Sequence, residues 1–200
     1  MAISYMYNNG KVQYVVSQNC DGFHVKSGIK RTDMSELHGN TNVEICKKCN
    51  IEYYRPFRCR TATRSHEHLT DRKCDKCQGF LEDTIVNFGE SLPHETLERA
   101  YENAHKSDLA IVMGTSMRVS PACELPPKCI KNGGAMVIVN LQKTPYDSQS
   151  GIRIFAKTDR VIEMLMEKLG YKIPPYMMNL DLTLVAVVNK MGERVAFFSL

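Results

Sequence analysis

The sequence has no apolar run long enough to cross a bilayer. Its longest runs, LAIVMG, AMVIVN and LTLVAVV, fall far short of the roughly 20 residues that a membrane-spanning helix requires. The opening MAISYMYNNG lacks the basic segment followed by an apolar stretch that marks a secretory signal, so a reducing, intracellular compartment is expected. Charge of one sign is also scarce. A net charge of +4 does not by itself assign a nucleic-acid partner, although Arg55, Arg58, Arg60, Arg64, Arg72, Lys73 and Lys76 crowd one segment. That segment reads either as a solvated basic face or as a contact for a polyanion. What is present is ordinary for a globular chain: 43% hydrophobic and 24% charged residues in 200, enough for one domain or one domain carrying a small insert.

Val12 to Ser17 (VQYVVS) is short, rich in β-branched residues and preceded by Asn8-Asn9-Gly10, so it reads as a buried strand. Leu109 to Met113 and Ala135 to Val139 are uninterrupted apolar runs, as expected where a parallel sheet is covered on both faces. Between them lie helical stripes. Leu97, Ala100, Tyr101 and Ala104 form one, and Val161, Ile162, Leu165, Met166 and Leu169 form another, with Asp159 placed to cap it and Gly170 to end it. This alternation predicts an α/β fold: a partial Rossmann-like parallel sheet with helices on both faces.

From about Ile45 to Leu81 no amphipathic period persists, so that stretch must be held another way. Cys46-Lys47-Lys48-Cys49 and Cys74-Asp75-Lys76-Cys77 bracket it, with 24 residues between the pairs. A reducing compartment disfavours disulfides, and two CxxC turns present four thiolates to a tetrahedral metal. The expected insert is therefore a small zinc ribbon with one structural zinc ion, from which Arg60 to Thr70 loop out; redox dithiols are the competing reading. A four-cysteine site has no open coordination position, so chemistry must lie elsewhere. The isolated Cys20, Cys59, Cys123 and Cys129 read as packed small hydrophobes.

Ligands of open α/β sheets bind beyond the carboxyl ends of the strands, and three such ends are polar here. The first strand runs into Gln18-Asn19-Cys20-Asp21-Gly22, the second into Gly114-Thr115-Ser116 and the third into Asn140-Leu141-Gln142. Amides, hydroxyls and a close-approach glycine suit ribose and phosphate groups; each end alone could be an ordinary turn. Glu36-Leu37-His38-Gly39-Asn40 directly precedes the cysteine module. His38 reads as a general base, a packed histidine or a metal ligand.

Taken together, VVSQNCDGFH, GIKRTDMSELHGN, the two CxxC pairs, DTIVNFGESLP, GTSMRVSP and VIVNLQ resemble, in order, the sirtuins, the NAD-dependent protein lysine deacylases. The likeness covers roughly Val12 to Pro175 and leans toward the class IV branch, which holds nuclear and nucleolar animal members. It implies a division into residues 1–44 and 83–176 of an NAD-binding domain, a zinc module over 45–82 and an unassigned tail over 177–200. It further implies that Gln18, Asn19 and Asp21 line the nicotinamide and ribose pocket. Gly114, Thr115, Ser116, Asn140, Leu141 and Gln142 would hold the remainder of NAD. His38 would be the catalytic base, with Asn19 and Asp21 orienting the reaction. Val86, Asn87, Phe88, Gly89 and Glu90 match a strand that clamps the acyl-lysine peptide of histones or other nuclear substrates.

The sirtuins ordinarily carry a glycine-rich phosphate loop after their first strand, and these residues contain none. The chain is thus expected to begin partway through that domain, with the sheet short of a neighbour strand and NAD binding impaired. Either the full product is longer and enzymatic, or the short chain is a binding module. Two other classes compete: a non-catalytic zinc ribbon contacting chromatin or nucleic acid, and a cysteine hydrolase built on Cys20 near His24. Leu182 to Val188 and Arg194 to Phe198 are expected to form a hairpin across Asn189 to Gly192.

Overall fold

The computed structural model describes residues 1–177 and the backbone of Val195–Ser199. In chain order the first elements are α1 (Ala2–Asn8), β1 (Tyr14–Ser17), α2 (Phe23–Lys26), β2 (Met34–Glu36), β3 (Val43–Cys46), β4 (Glu52–Tyr54), β5 (Leu69–Lys73) and β6 (Phe80–Asp83). They are followed by α3 (His94–Lys106), β7 (Leu109–Met113), α4 (Pro127–Lys131), β8 (Ala135–Val139), β9 (Ile152–Ile154), α5 (Thr158–Lys168) and β10 (Val195–Ser199).

Six strands form one parallel sheet in the order β2-β1-β10-β7-β8-β9. Side chains alternate between its faces, as the two-residue period of a strand demands. Tyr14, Val16, Ala110, Val112, Met136 and Ile138 share one core with Ala100 and Ala104 of α3 and Cys129 of α4. Val15, Met113 and Val139 share the other with Met6 of α1 and Met166 of α5. Helices thus cover both faces, which is why these strands read as unbroken apolar runs. Both helical stripes turn inward as expected, except that Leu169 lies at the C-cap of α5 and is exposed.

Four local expectations come out differently. The first strand begins at Tyr14; Val12 is buried but lies ahead of the ladder. Asp159 sits in the first turn of α5, where its charge favours the positive helix end, while Lys157 holds the cap position. Gly170, at φ +72°, does end that helix. Leu182 to Val188 lie outside the described residues, but Val195–Ser199 pairs in parallel with β1 on one side and β7 on the other. The place of the neighbour strand expected to be missing is therefore filled by β10, and both flanking strands keep their backbone partners.

The smaller sheet is antiparallel, in the order β4-β3-β6-β5. Each of its two hairpins turns through one CxxC sequence. Asn50 and Gln78, each at φ +57°, donate from their backbone N–H to the carbonyls of Cys46 (2.7 Å) and Cys74 (2.9 Å), so the two turns are near copies of one another. The apolar content is slight: Leu81 with Cys46 and Cys74, flanked by Tyr53, Cys49 and Cys77.

Candidate active site and metal centre

The two turns bring the sulfurs of Cys46, Cys49, Cys74 and Cys77 within 4.8 Å of one another. Separations of 3.4, 3.5 and 3.6 Å link Cys46 with Cys77, Cys49 with Cys74 and Cys77 with Cys49. A tetrahedron of Zn–S bonds of about 2.3 Å puts its sulfurs roughly 3.8 Å apart, so the set fits a four-thiolate zinc site. Tyr53 Oη lies 3.1 Å from Cys74 Sγ, a hydroxyl placed to support a ligand sulfur. With all four donors from protein, this centre stabilises the module and leaves no position for activating water.

The basic segment is less exposed than its sequence suggests. Arg55 and Arg72 each place Nε 2.7 Å from a carboxylate oxygen of the fully buried Glu44, and Thr70 donates to the same group at 2.8 Å. Arg60 pairs with the buried Asp83 at 3.1 Å. Three of the seven basic side chains therefore neutralise buried acids within the module, leaving Arg58, Arg64, Lys73 and Lys76 exposed. Cys59, Cys123 and Cys129 are buried as expected, and Cys20 is half-buried.

The carboxyl ends of β1, β7 and β8 carry the polar residues singled out above. Gln18 and Thr115 line one recess with Val16, Leu37, Met117 and Ala122, although β10 separates their strands. Asp21 Oδ1 accepts the Phe23 backbone N–H at 2.9 Å, which ties the carboxylate to the start of α2. Asn19 lies beside it, its backbone N–H bonded to Ser17 Oγ at 3.1 Å. Gly114, at φ +69°, turns the chain out of β7, and Ser116 beyond it is exposed. Asn140, Leu141 and Gln142 leave β8 with the Asn140 amide donating to the Gln142 carbonyl at 3.0 Å. From β1 to β8 the row crosses three strand spacings, roughly 14 Å at about 4.8 Å each.

His38 stands beside this row. Its Nδ1 lies 3.1 Å from the Gln18 carbonyl, which can only accept, so the neutral ring carries its proton on Nδ1 and keeps a lone pair on Nε2. Burial pushes the imidazole below the ordinary histidine value, and the Gln18 carbonyl opposes this in part. Neutral pH therefore leaves it in the basic form. Gly39 is required here: at φ +79°, a Cβ would lie 1.8 Å from the Thr84 carbonyl oxygen. That close approach lets the Val86 N–H reach the His38 carbonyl at 3.1 Å and lets Thr84 Oγ1 bond Asn40.

Val86 to Glu90 are extended and then turn, rather than forming a strand. The Glu90 carboxylate folds back on the Asn87 N–H at 2.7 Å and closes the turn, leaving Phe88 89% exposed at its tip with Gly89 beside it. Sequence reasoning passed over three residues of this neighbourhood. Asn40 is buried and bonds Glu36 Oε1 at 2.7 Å, while burial pushes the Glu36 carboxyl up to about 7. His68 bridges Asp83 and Glu90 across 15 and 22 residues of chain, a distance over which no motif signals contact.

Comparison with known proteins gives the family and the fold. The sequence profile of the Sir2 family matches residues 1–121. The NAD-dependent protein deacetylase SRT1 of Arabidopsis thaliana is 42% identical over 201 residues, which cover all of this chain and 42% of that protein. The NAD-dependent protein deacetylase sirtuin-7 of Homo sapiens is 41% identical over 187 residues, covering 88% of this chain and 46% of its own length. The chain thus spans less than half the length of these curated relatives. Among solved structures, a Sir2 homologue in complex with NAD superposes with a TM-score of 0.70 at 30% identity, covering 84% of this chain and 62% of that one. Sir2Tm bound to a propionylated peptide superposes with a TM-score of 0.68 at 31% identity, covering 86% and 70%. With a parallel sheet ending in polar turns, a four-thiolate insert and a histidine held between them, the chain belongs to the Sir2 family.

Proposed function

We propose that the protein is an NAD-dependent protein lysine deacylase, or the part of one that carries the base and the substrate edge. The observation that carries this reading is His38: a neutral imidazole with Nε2 free, beside the polar strand ends and backbone-bonded to Val86. Gln18, Asn19 and Asp21 would hold the nicotinamide and ribose portion, and Gly114, Thr115, Ser116, Asn140, Leu141 and Gln142 the rest. These donors are hydroxyls, amides and turn backbone, a set that suits ribose and phosphate oxygens. The glycine-rich phosphate loop usual in the family is not among the residues of this chain, so its own hold on the pyrophosphate is the weaker half of the site.

When bound, NAD would supply a ribose carbon that bonds the substrate's acyl oxygen as its bond to nicotinamide breaks, and a ribose hydroxyl that carries the acyl group away as O-acyl-ADP-ribose once water has freed the lysine. The protein's residues do the rest. His38 Nε2 takes a proton from a ribose hydroxyl, and Gln18 keeps the ring in the tautomer that can do so. Asn19 and Asp21 orient the reacting groups. Val86 and Asn87, with the turn at Phe88 to Glu90 beyond them, would form the edge to which substrate backbone adds, so that peptides of varied sequence are accepted. Acyl-lysine on histones or other nuclear proteins is the proposed substrate, and the nucleus the proposed compartment. The exposed Arg58, Arg64, Lys73 and Lys76 leave a modest surface for chromatin.

Incubating the protein with an acetyl-lysine peptide and NAD should release nicotinamide and deacetylated lysine one for one. His38→Tyr should reduce turnover by about a hundredfold or more with the zinc content unchanged. Turnover undiminished by that substitution, or nicotinamide release without deacylation, would refute the assignment. Activity of the native enzyme should also fall on acidification below the ordinary histidine range, as the base becomes protonated.

A further inference from the structure

The metal module and the Val86 to Glu90 segment meet at one imidazole. His68 immediately precedes β5, and its two ring nitrogens face carboxylates from two other elements. Nδ1 lies 3.3 Å from Asp83 Oδ1 at the end of β6, and Nε2 lies 2.9 Å from Glu90 Oε1 beyond the turn. Both oxygens can only accept while ionised. A neutral imidazole has one N–H and satisfies one of them, whereas the imidazolium satisfies both.

Each carboxylate is anchored by further partners. Asp83 is buried, accepts the Ile85 N–H at 2.9 Å and pairs with Arg60 at 3.1 Å. Glu90 Oε2 receives the Asn87 N–H at 2.7 Å and its side-chain amide at 3.1 Å, and Oε1 also faces His66 Nδ1 at 2.8 Å. The oxygen that closes the turn and the oxygen that meets the module thus belong to one carboxylate.

We propose that His68 is a positioning residue for the substrate: as an imidazolium between Asp83 and Glu90, it locks the Val86 to Glu90 edge against the metal module and sets the shape offered to an acyl-lysine peptide. The proposal rests on the reading of that edge as the peptide site. Of the charged groups around the ring, Asp83 and Glu90 are acidic, Arg60 stands behind Asp83, and His66 shares Glu90. Burial pushes the His68 imidazole down, but the hydrogen bonds and charges of Glu90 and Asp83 outweigh it and hold the group above the ordinary histidine value. With a raised folded value, the lock is complete at low pH and is lost as pH rises through that value.

The test is the affinity of the protein for a fluorescent acetyl-lysine peptide between about pH 6 and pH 9, alongside the titration of the His68 ring followed by NMR. Wild-type affinity should weaken by about fivefold over that range, with a midpoint matching the His68 titration. His68→Gln should bind weakly and without pH dependence, while His66→Gln should keep the wild-type profile. Zinc content checks that each variant has folded, and the matching midpoints in the wild type serve if His68→Gln does not fold. A wild-type profile surviving in His68→Gln, or a His68 ring titrating at or below about 6.5, would overturn the proposal. No peptide binding at any pH, with a raised His68 titration intact, would overturn the peptide-site reading on which it rests.

Discussion

The two sheets differ in the balance of apolar and ionisable side chains that they bury. In the parallel sheet the fully buried positions are mostly apolar, Val15, Ala110, Val112, Met136 and Ile138, whose contribution comes from apolar area and does not titrate; the buried Ser35 of β2 is uncharged and bonds Tyr14 Oη at 2.7 Å. In the antiparallel sheet they include Cys46, Cys74, Glu44 and Thr70 beside two aliphatic side chains, Val43 and Leu81. A module this small cannot bury enough apolar surface, so it closes around thiolates and an ion-paired carboxylate. The parallel sheet is therefore expected to depend less on ionisation and on metal than the antiparallel one.

Chelation should divide the two regions most sharply. Removing zinc, or replacing Cys74 with Ser, should unfold residues 43–83 while amide signals from β1, β7 and β8 persist in NMR spectra; simultaneous loss of both sets would show the regions to be one cooperative unit. Ile138→Ala should act in the reverse sense. It should lower thermal stability of the parallel sheet by about 3 to 4 kcal/mol, with bound zinc per chain unchanged on metal analysis. Glu44→Gln leaves Arg55 and Arg72 without their common counter-charge. Denaturant melts should report a loss of about 3 kcal/mol, somewhat less where the partly exposed arginines are rehydrated.

Acid sharpens the contrast by a smaller step. Burial pushes the Glu44 carboxyl up, but Arg55, Arg72 and Thr70 outweigh this and hold it below the usual value; likewise Glu90 is held at about 2 by Asn87, His68 and His66 against the effect of burial. Depressed folded values mean that these groups stabilise the module above about pH 4.3 and that the contribution fades as pH falls through the folded values. Circular dichroism during acid titration should show the module melting first, with a shallower loss in Glu44→Gln. Least of all, Phe88→Ala should change the melting temperature hardly at all, by the equivalent of about 0.5 kcal/mol or less, because that ring is 89% exposed. A weakened grip on peptide without lost stability would mark Phe88 as part of the substrate edge.

Legibility in the sequence followed the range of the interaction. The strands around Val112 and Ile138 were readable because an unbroken apolar run states its own burial, and the metal set because each cysteine pair is spaced within one turn. The polar strand ends followed from the strands. Glu44 was invisible, since a glutamate among arginines looks like a solvated face until Arg55 and Arg72 fold inward upon it. Glu36, Asn40 and the His68 bridge were missed for the same reason: each depends on which chain passes alongside.

By itself the sequence determined the α/β alternation, the four zinc-competent thiols and the family, because those depend on local period, spacing and order. Only the tertiary structure decided that β10 enters the parallel sheet between β1 and β7, that His38 leaves Nε2 unprotonated, and that His68 ties the module to the turn at Glu90. Each of those outcomes depends on the distance between atoms far apart in the chain, and burial and partner charge act only once that distance is set.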